Sequence, residues 1–275
     1  YLIDIRRDNL LLLLLFKALF AEAPTRVDYL SLLTGRPTPP QPERWADATI
    51  DALVDHIDGN LPVPWAEHQK IQARLVEVVQ GFGVPLSSAD LETIAQSRAQ
   101  FVRAGLSLVF RARGQPLRPY YPTLRTLLLE NDRAGHQLSF LASETAFQFV
   151  RSLQARDRIV PVVGDVSGPK AMRAIAADMT ARRLRLSAFY ISNIEYYLFQ
   201  DQNFGPYAEN VARLPHDARS MMIRSVFPSG SSRSLPQAVP GYYSTSLVQR
   251  FETMLADLAA GNYRTYHDLV QASAR

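Results

Sequence analysis

The sequence predicts an α/β fold built on mainly parallel strands, and three observations carry that prediction. Short β-prone apolar runs end abruptly in polar residues, stretches of helical periodicity separate them, and 275 residues with 47% hydrophobic content suffice to bury a large core. A single α/β domain over residues 1–275 is expected, in preference to two unrelated ones.

Tyr1 to Ile5 reads as a buried parallel strand, and Arg6-Arg7-Asp8-Asn9 breaks it with helix-capping candidates. Leu10 to Glu22 is a strongly apolar helix that Pro24 ends. Its apolar run, Leu10 to Phe16, falls far short of the roughly 20 residues that cross a bilayer, so no transmembrane segment is expected.

Residues 25–157 form a mostly helical insertion. Ile50, Leu53, Val54 and Ile57 follow the i, i+3, i+4, i+7 spacing, and Leu75, Val78, Val79 and Phe82 repeat it. Ser87 to Asp90 caps a helix from Leu91 to about Phe110, Gly114 to Pro122 is a proline-rich loop, and Ser143 to Leu153 is a further short helix.

Arg158 to Gly164 is the second strand, a helix runs to about Arg183, and Arg185 to Ile191 is the third strand. Strand, helix and strand so close together predict a βαβ unit with a right-handed crossover and parallel strands. A fourth strand is expected at Ser220 to Phe227, a loop at Pro228 to Gly241 and a helix at Thr245 to Ala260.

Thirty basic residues against 26 acidic give a net charge of +4. Only Lys17, Lys70 and Lys170 are lysines, and no basic run exceeds two residues, so nucleic acid is disfavoured and a solvated arginine-bearing surface is expected. The absence of cysteine excludes a disulfide framework, a thiol nucleophile and cysteine-ligated zinc, and points to the cytoplasm. His56, His68, His136, His216 and His267 show no metal-ligand spacing, and neither a G-x-S-x-G elbow nor a P-loop is present.

Ligands of open α/β sheets bind at strand carboxyl ends, which directs attention to the residues just after each strand. Asp4, followed by Arg6, suits a ribose, because one carboxylate accepts both hydrogen bonds of a vicinal diol; capping the next helix is the competing role. Gly164 and Asp165 suit an adenine amino group, or simply end the strand. Ser192, Asn193, Glu195 and Tyr196, with Tyr190 on the strand itself, form the candidate acceptor site, against a plain asparagine turn under packed aromatics.

Several blocks together resemble an uncharacterised bacterial family whose core is similar to class I S-adenosylmethionine-dependent methyltransferases. They are Asp4-Ile-Arg-Arg-Asp-Asn9 with Lys17-Ala-Leu-Phe20, Leu141-Ala-Ser-Glu144, Val162-Val-Gly-Asp165 with Gly168-Pro-Lys170, Ala188-Phe-Tyr-Ile-Ser-Asn-Ile-Glu195, and Asn210-Val-Ala-Arg-Leu-Pro215 before Ile223-Arg-Ser225. The likeness spans nearly the whole chain and departs from the pattern at Val166 and His216, where bulkier apolar residues are usual.

It implies a Rossmann-like sheet with the helical insertion between its second and third core strands, and an earlier strand and turn ahead of Tyr1. It also implies S-adenosylmethionine as cofactor, held by Asp4, Arg6, Gly164, Asp165 and Ser192, with Asn193, Glu195, Tyr190 and Tyr196 orienting a small acceptor for methyl transfer. Two rival readings stand beside it: a non-catalytic nucleotide-binding or protein-interaction module that meets its partner through the helical insertion, and a nicotinamide-dependent oxidoreductase.

Overall fold

The computed structural model describes residues 1–109, 121–227 and 235–274. Most of the Gly114–Pro122 loop and the first part of the Pro228–Gly241 loop lie outside the described residues, while the helix expected to run to about Phe110 stops at Ala104, where Gly105 takes the left-handed φ of 55° that ends it. The chain divides into two units: a helical one of Leu2 and Arg6–Pro161, and a mixed one of Tyr1, Ile3–Ile5 and Val162–Arg275.

In the helical unit, α1 (Arg7–Glu22) buries Leu11, Leu14, Leu15, Ala18 and Leu19, the repeating stripe of a core helix. Around it come α2 (Arg26–Thr34), α3 (Ile50–Gly59), α4 (Trp65–Gln80), α5 (Ser88–Ala104), α6 (Leu124–Leu129) and α7 (Glu144–Ala155). The expected periodic residues point inward: all four of α3 are buried, as are Leu75 and Val79 of α4.

Local chemistry sets the helix starts. Thr25 and Asp28 make a capping box for α2, and the expected cap of α5 is a second one, Ser87 accepting from Asp90 N at 3.2 Å while Asp90 accepts from Ser87 N at 2.8 Å. No helix among the described residues is long and apolar enough to cross a membrane.

His68 of α4 stacks on Trp65 with ring centroids 5.3 Å apart and planes 13° from parallel. Burial, with help from the Arg98 charge, holds its pKa below the ordinary 6.5. The folded state thus resists a proton that the unfolded chain accepts. Stability contributed by neutral His68 is complete above about 6.5 and drains away as pH falls toward the depressed folded value. Urea midpoints measured at about pH 7.5 and about pH 5.5 should therefore fall with acidity in the parent chain and fall less in His68→Phe. An identical pH slope in the variant would remove His68 as a cause.

The mixed unit corrects the expected fold class. Among the described residues about 53% is helix, and five short strands lie in two small sheets, so the described residues hold no extended parallel Rossmann-like sheet of the class I methyltransferase type. The strands β1 (Leu2–Asp4) and β2 (Pro161–Val163) pair with each other, while β3 (Ala188–Ser192), β4 (Met221–Val226) and β5 (Thr245–Arg250) make a separate sheet in that order.

The expected βαβ unit fails because β2 and β3, although separated by α8 (Ala171–Ala181), do not share a sheet. The handedness rule governs strands of one sheet and does not itself make neighbours in sequence pair. The parallel crossover comes one step later: β3 and β4 are parallel and are joined through α9 (Ile194–Gln200) and α10 (Phe204–Val211).

The helix expected over Thr245–Ala260 is half strand. β5 pairs antiparallel with β4, and α11 (Phe251–Ala259) begins only after it, before α12 (Tyr266–Ser273). Leu247 and Gln249 are buried while Ser246, Val248 and Arg250 are exposed, the period-2 alternation of a half-buried strand. One apolar cluster, including Val166, Met172, Ile175, Ile191, Met222, Phe251 and Leu269, joins strands and helices of this unit.

Candidate ligand site at the strand ends

Asp4 and Gly164–Asp165 are brought together. Gly164 N donates to the Asp4 carbonyl at 2.8 Å, so the two carboxylates leave adjacent strand ends, both within the mixed unit. Gly164 is required by packing: a Cβ there would come within 2.3 Å of the Ala171 Cβ, closing the approach of the strand end to α8.

The loop after β2 has its shape fixed from two sides. The exposed Asp165 accepts from Ser167 N at 2.8 Å and from Ser167 Oγ at 2.7 Å, folding the backbone into an Asx turn. From below, the buried Asn210 of α10 donates to the carbonyls of Val166 at 3.0 Å and Gly168 at 2.8 Å. The N-cap of α8, Lys170, makes no side-chain capping bond. Its first-turn N–H groups stand beside a loop ordered by a buried amide, the preorganisation a binding site needs.

Asn210 was named in the sequence only as part of a block. Its signal was legible: Tyr207, Asn210 and Val211 share one face of α10 at i, i+3, i+4, and all three are buried. An amide on an apolar stripe must find partners, and here it finds two carbonyls.

Ser192 ends β3 at φ 56°, in the left-handed region that non-glycine residues seldom occupy, and the β3–β4 register shifts between Tyr190 and Ser192. Asn193 follows as the N-cap of α9 without a side-chain capping bond. These residues end a strand of the other sheet, yet Ile191 beneath Ser192 and Val166 beneath the first loop belong to the same apolar cluster. Arg6 belongs to the helical unit, at the N-cap position of α1, and forks onto Asp8, its Nε 3.0 Å from Oδ1.

The acceptor group disperses. Tyr190 is 59% exposed, with its hydroxyl 3.0 Å from Ser225 Oγ, and Tyr196 packs edge-on against Tyr197 and Tyr266. Glu195 is only 1% exposed and spends both oxygens in the core, on the Tyr207 hydroxyl at 3.1 Å and on Arg224 Nε at 2.6 Å. Burial foremost, and the Glu195 charge next, raise the Tyr207 pKa well above its usual value, so this phenol is a fixed donor. Arg224 continues to Gln249 at 2.9 Å and Ser273 at 3.1 Å. This is an internal polar network, and its carboxylate does not face an acceptor as the sequence reading expected.

No curated protein matches the chain. A family model described as Domain of unknown function (DUF7790) matches residues 103–275, well over half of the chain, which therefore belongs to that family.

Proposed function

We propose that the chain binds a nucleoside-bearing small molecule at the carboxyl ends of β1 and β2, S-adenosylmethionine being the first candidate. The observation that carries this reading is the Gly164 N–H bond to the Asp4 carbonyl, which sets two carboxylates at neighbouring strand ends. On this reading Asp4 accepts both hydroxyls of a ribose, and Asp165, which also shapes its own loop, accepts from an adenine amino group. The reading is one of binding and not of methyl transfer, since the groups assigned to an acceptor are scattered and Glu195 lies in the core. A site is argued from its own groups, so the loss of the Rossmann-like sheet does not remove it.

Isothermal titration of S-adenosylmethionine and S-adenosylhomocysteine into the chain, with NAD as the competitor chemistry, tests it. Binding in the micromolar range is expected, weakened about tenfold or more in Asp4→Ala and in Asp165→Asn, the latter chosen because an amide oxygen preserves the turn to Ser167. A folded chain that takes up none of the three ligands would sink the proposal. Tight NAD binding alone would transfer the site to the nicotinamide reading.

A further inference from the structure

The helical unit carries a half-open pocket of about 460 Å³ between α1 and α7, in the size range of small-molecule sites and built entirely from residues of that unit. Its apolar wall is Phe20, Phe82, Ala21 and Ala155; its charged groups are Lys17, Arg151 and Asp157. The Lys17-Ala-Leu-Phe20 block singled out in the sequence supplies one side of it, and nothing at the strand ends accounts for that block.

Each cation is held in place by the protein main chain. Lys17, with its side chain 18% exposed, donates to the Gln154 carbonyl at 2.9 Å and stands 5.2 Å from the centre of the Phe82 ring. Arg151 donates through Nε to the Phe20 carbonyl at 3.2 Å and reaches Gln148 Oε1 at 3.5 Å, orienting its planar fork. The one anion, Asp157, pairs with Lys17 at 2.5 Å, but its side chain is 84% exposed, so water competes for it.

Two anchored cations against one solvated carboxylate leave the cavity with a net charge of +1 over an aromatic wall. The geometry points to an organic monocarboxylate with an aryl or short alkyl body as the ligand of this cavity. Its carboxylate would meet the Arg151 fork and the Lys17 ammonium, and its body would lie against Phe20 and Phe82.

Phenylacetate, hexanoate, 2-phenylethanol and inorganic phosphate, titrated separately into the full chain and followed by amide NMR shifts, test this. Phenylacetate and hexanoate should saturate with shifts centred on α1 and α7. Phenylethanol, of similar shape without the charge, should bind about tenfold more weakly, as should phenylacetate in Arg151→Gln, with Arg151→Lys recovering part of the loss. Circular dichroism confirms that each variant is folded. Saturation by phosphate but by neither carboxylate would overturn the organic body of the proposal. Phenylacetate binding unchanged in a folded Arg151→Gln, or no carboxylate binding at all, would overturn the site.

Discussion

Glu195→Ala is expected to destabilise the chain by roughly 3–5 kcal/mol, because it leaves the Arg224 guanidinium buried without its counter-charge. Both partners are nearly free of solvent, 1% and 2% exposed at the side chain for Arg224 and Glu195, and neither can recover water without opening the core. Such a loss is a large share of the 5–15 kcal/mol that a folded domain typically holds. Glu195→Ala with Arg224→Met should lose less than the sum of the single changes, since the double variant removes the stranded charge as well as its partner. Urea denaturation of the four chains measures the cycle. A Glu195→Ala chain within about 1 kcal/mol of the parent would mean a hydrated carboxylate and would return Glu195 to the acceptor role that the sequence suggested.

The elements of this protein were more legible than their arrangement. Helices α3, α4 and α5 show in the sequence because a period of 3.6 and a capping box are local signals. Strand pairing is non-local. The runs at β2 and β3 look alike in apolar content and polar ends, and nothing in either tells that one joins β1 and the other β4. At β5 the signal was present but masked: Leu247, Gln249 and Phe251 alternate inward, and the helical run of α11 begins directly after Arg250. Where β-branched and helix-forming stretches abut, a window that spans both reads as the longer one.

The same contrast holds at the candidate site. Asp4, Gly164 and Asp165 follow from the rule that polar groups gather at strand ends, and a single backbone bond joins them. Glu195 misled because charge beside an apolar strand suggests a site, whereas its partners Tyr207 and Arg224 come from two other elements, α10 and β4. Only tertiary structure reveals that a carboxylate has been answered. The arginines misled in the same direction: read as solvated surface, three of them, Arg26, Arg98 and Arg224, are among the largest fully buried side chains.

Arg26 is the most consequential of these, and Arg26→Met should cost the helical unit on the order of 3–5 kcal/mol. Its guanidinium is 1% exposed and reaches the carbonyls of Leu141 at 2.8 Å, Ala142 at 2.9 Å, Trp45 and Ala46 at 3.2 Å each, and Ala48. The fork thus ties the start of α2 to the turn at Trp45–Ala48 and to the segment that leads into α7. Methionine fills a similar volume but leaves those acceptors without a donor in a site that water does not reach, so the loss is one of desolvated carbonyls and not of packing. Burial is also what lowers the Arg26 pKa, with Glu144, 3.8 Å from Nε, acting against it. Arg26→Lys separates charge from geometry: a lysine keeps the cation but cannot span five carbonyls in two groups, and should recover only part of the loss. Hydrogen exchange across α2 and α7 reads the effect within the unit, with protection expected to fall in Arg26→Met and to be intermediate in Arg26→Lys. Equal protection in all three chains would show that the carbonyls find other donors, and the arginine would then be an ornament of the fold and not one of its joints.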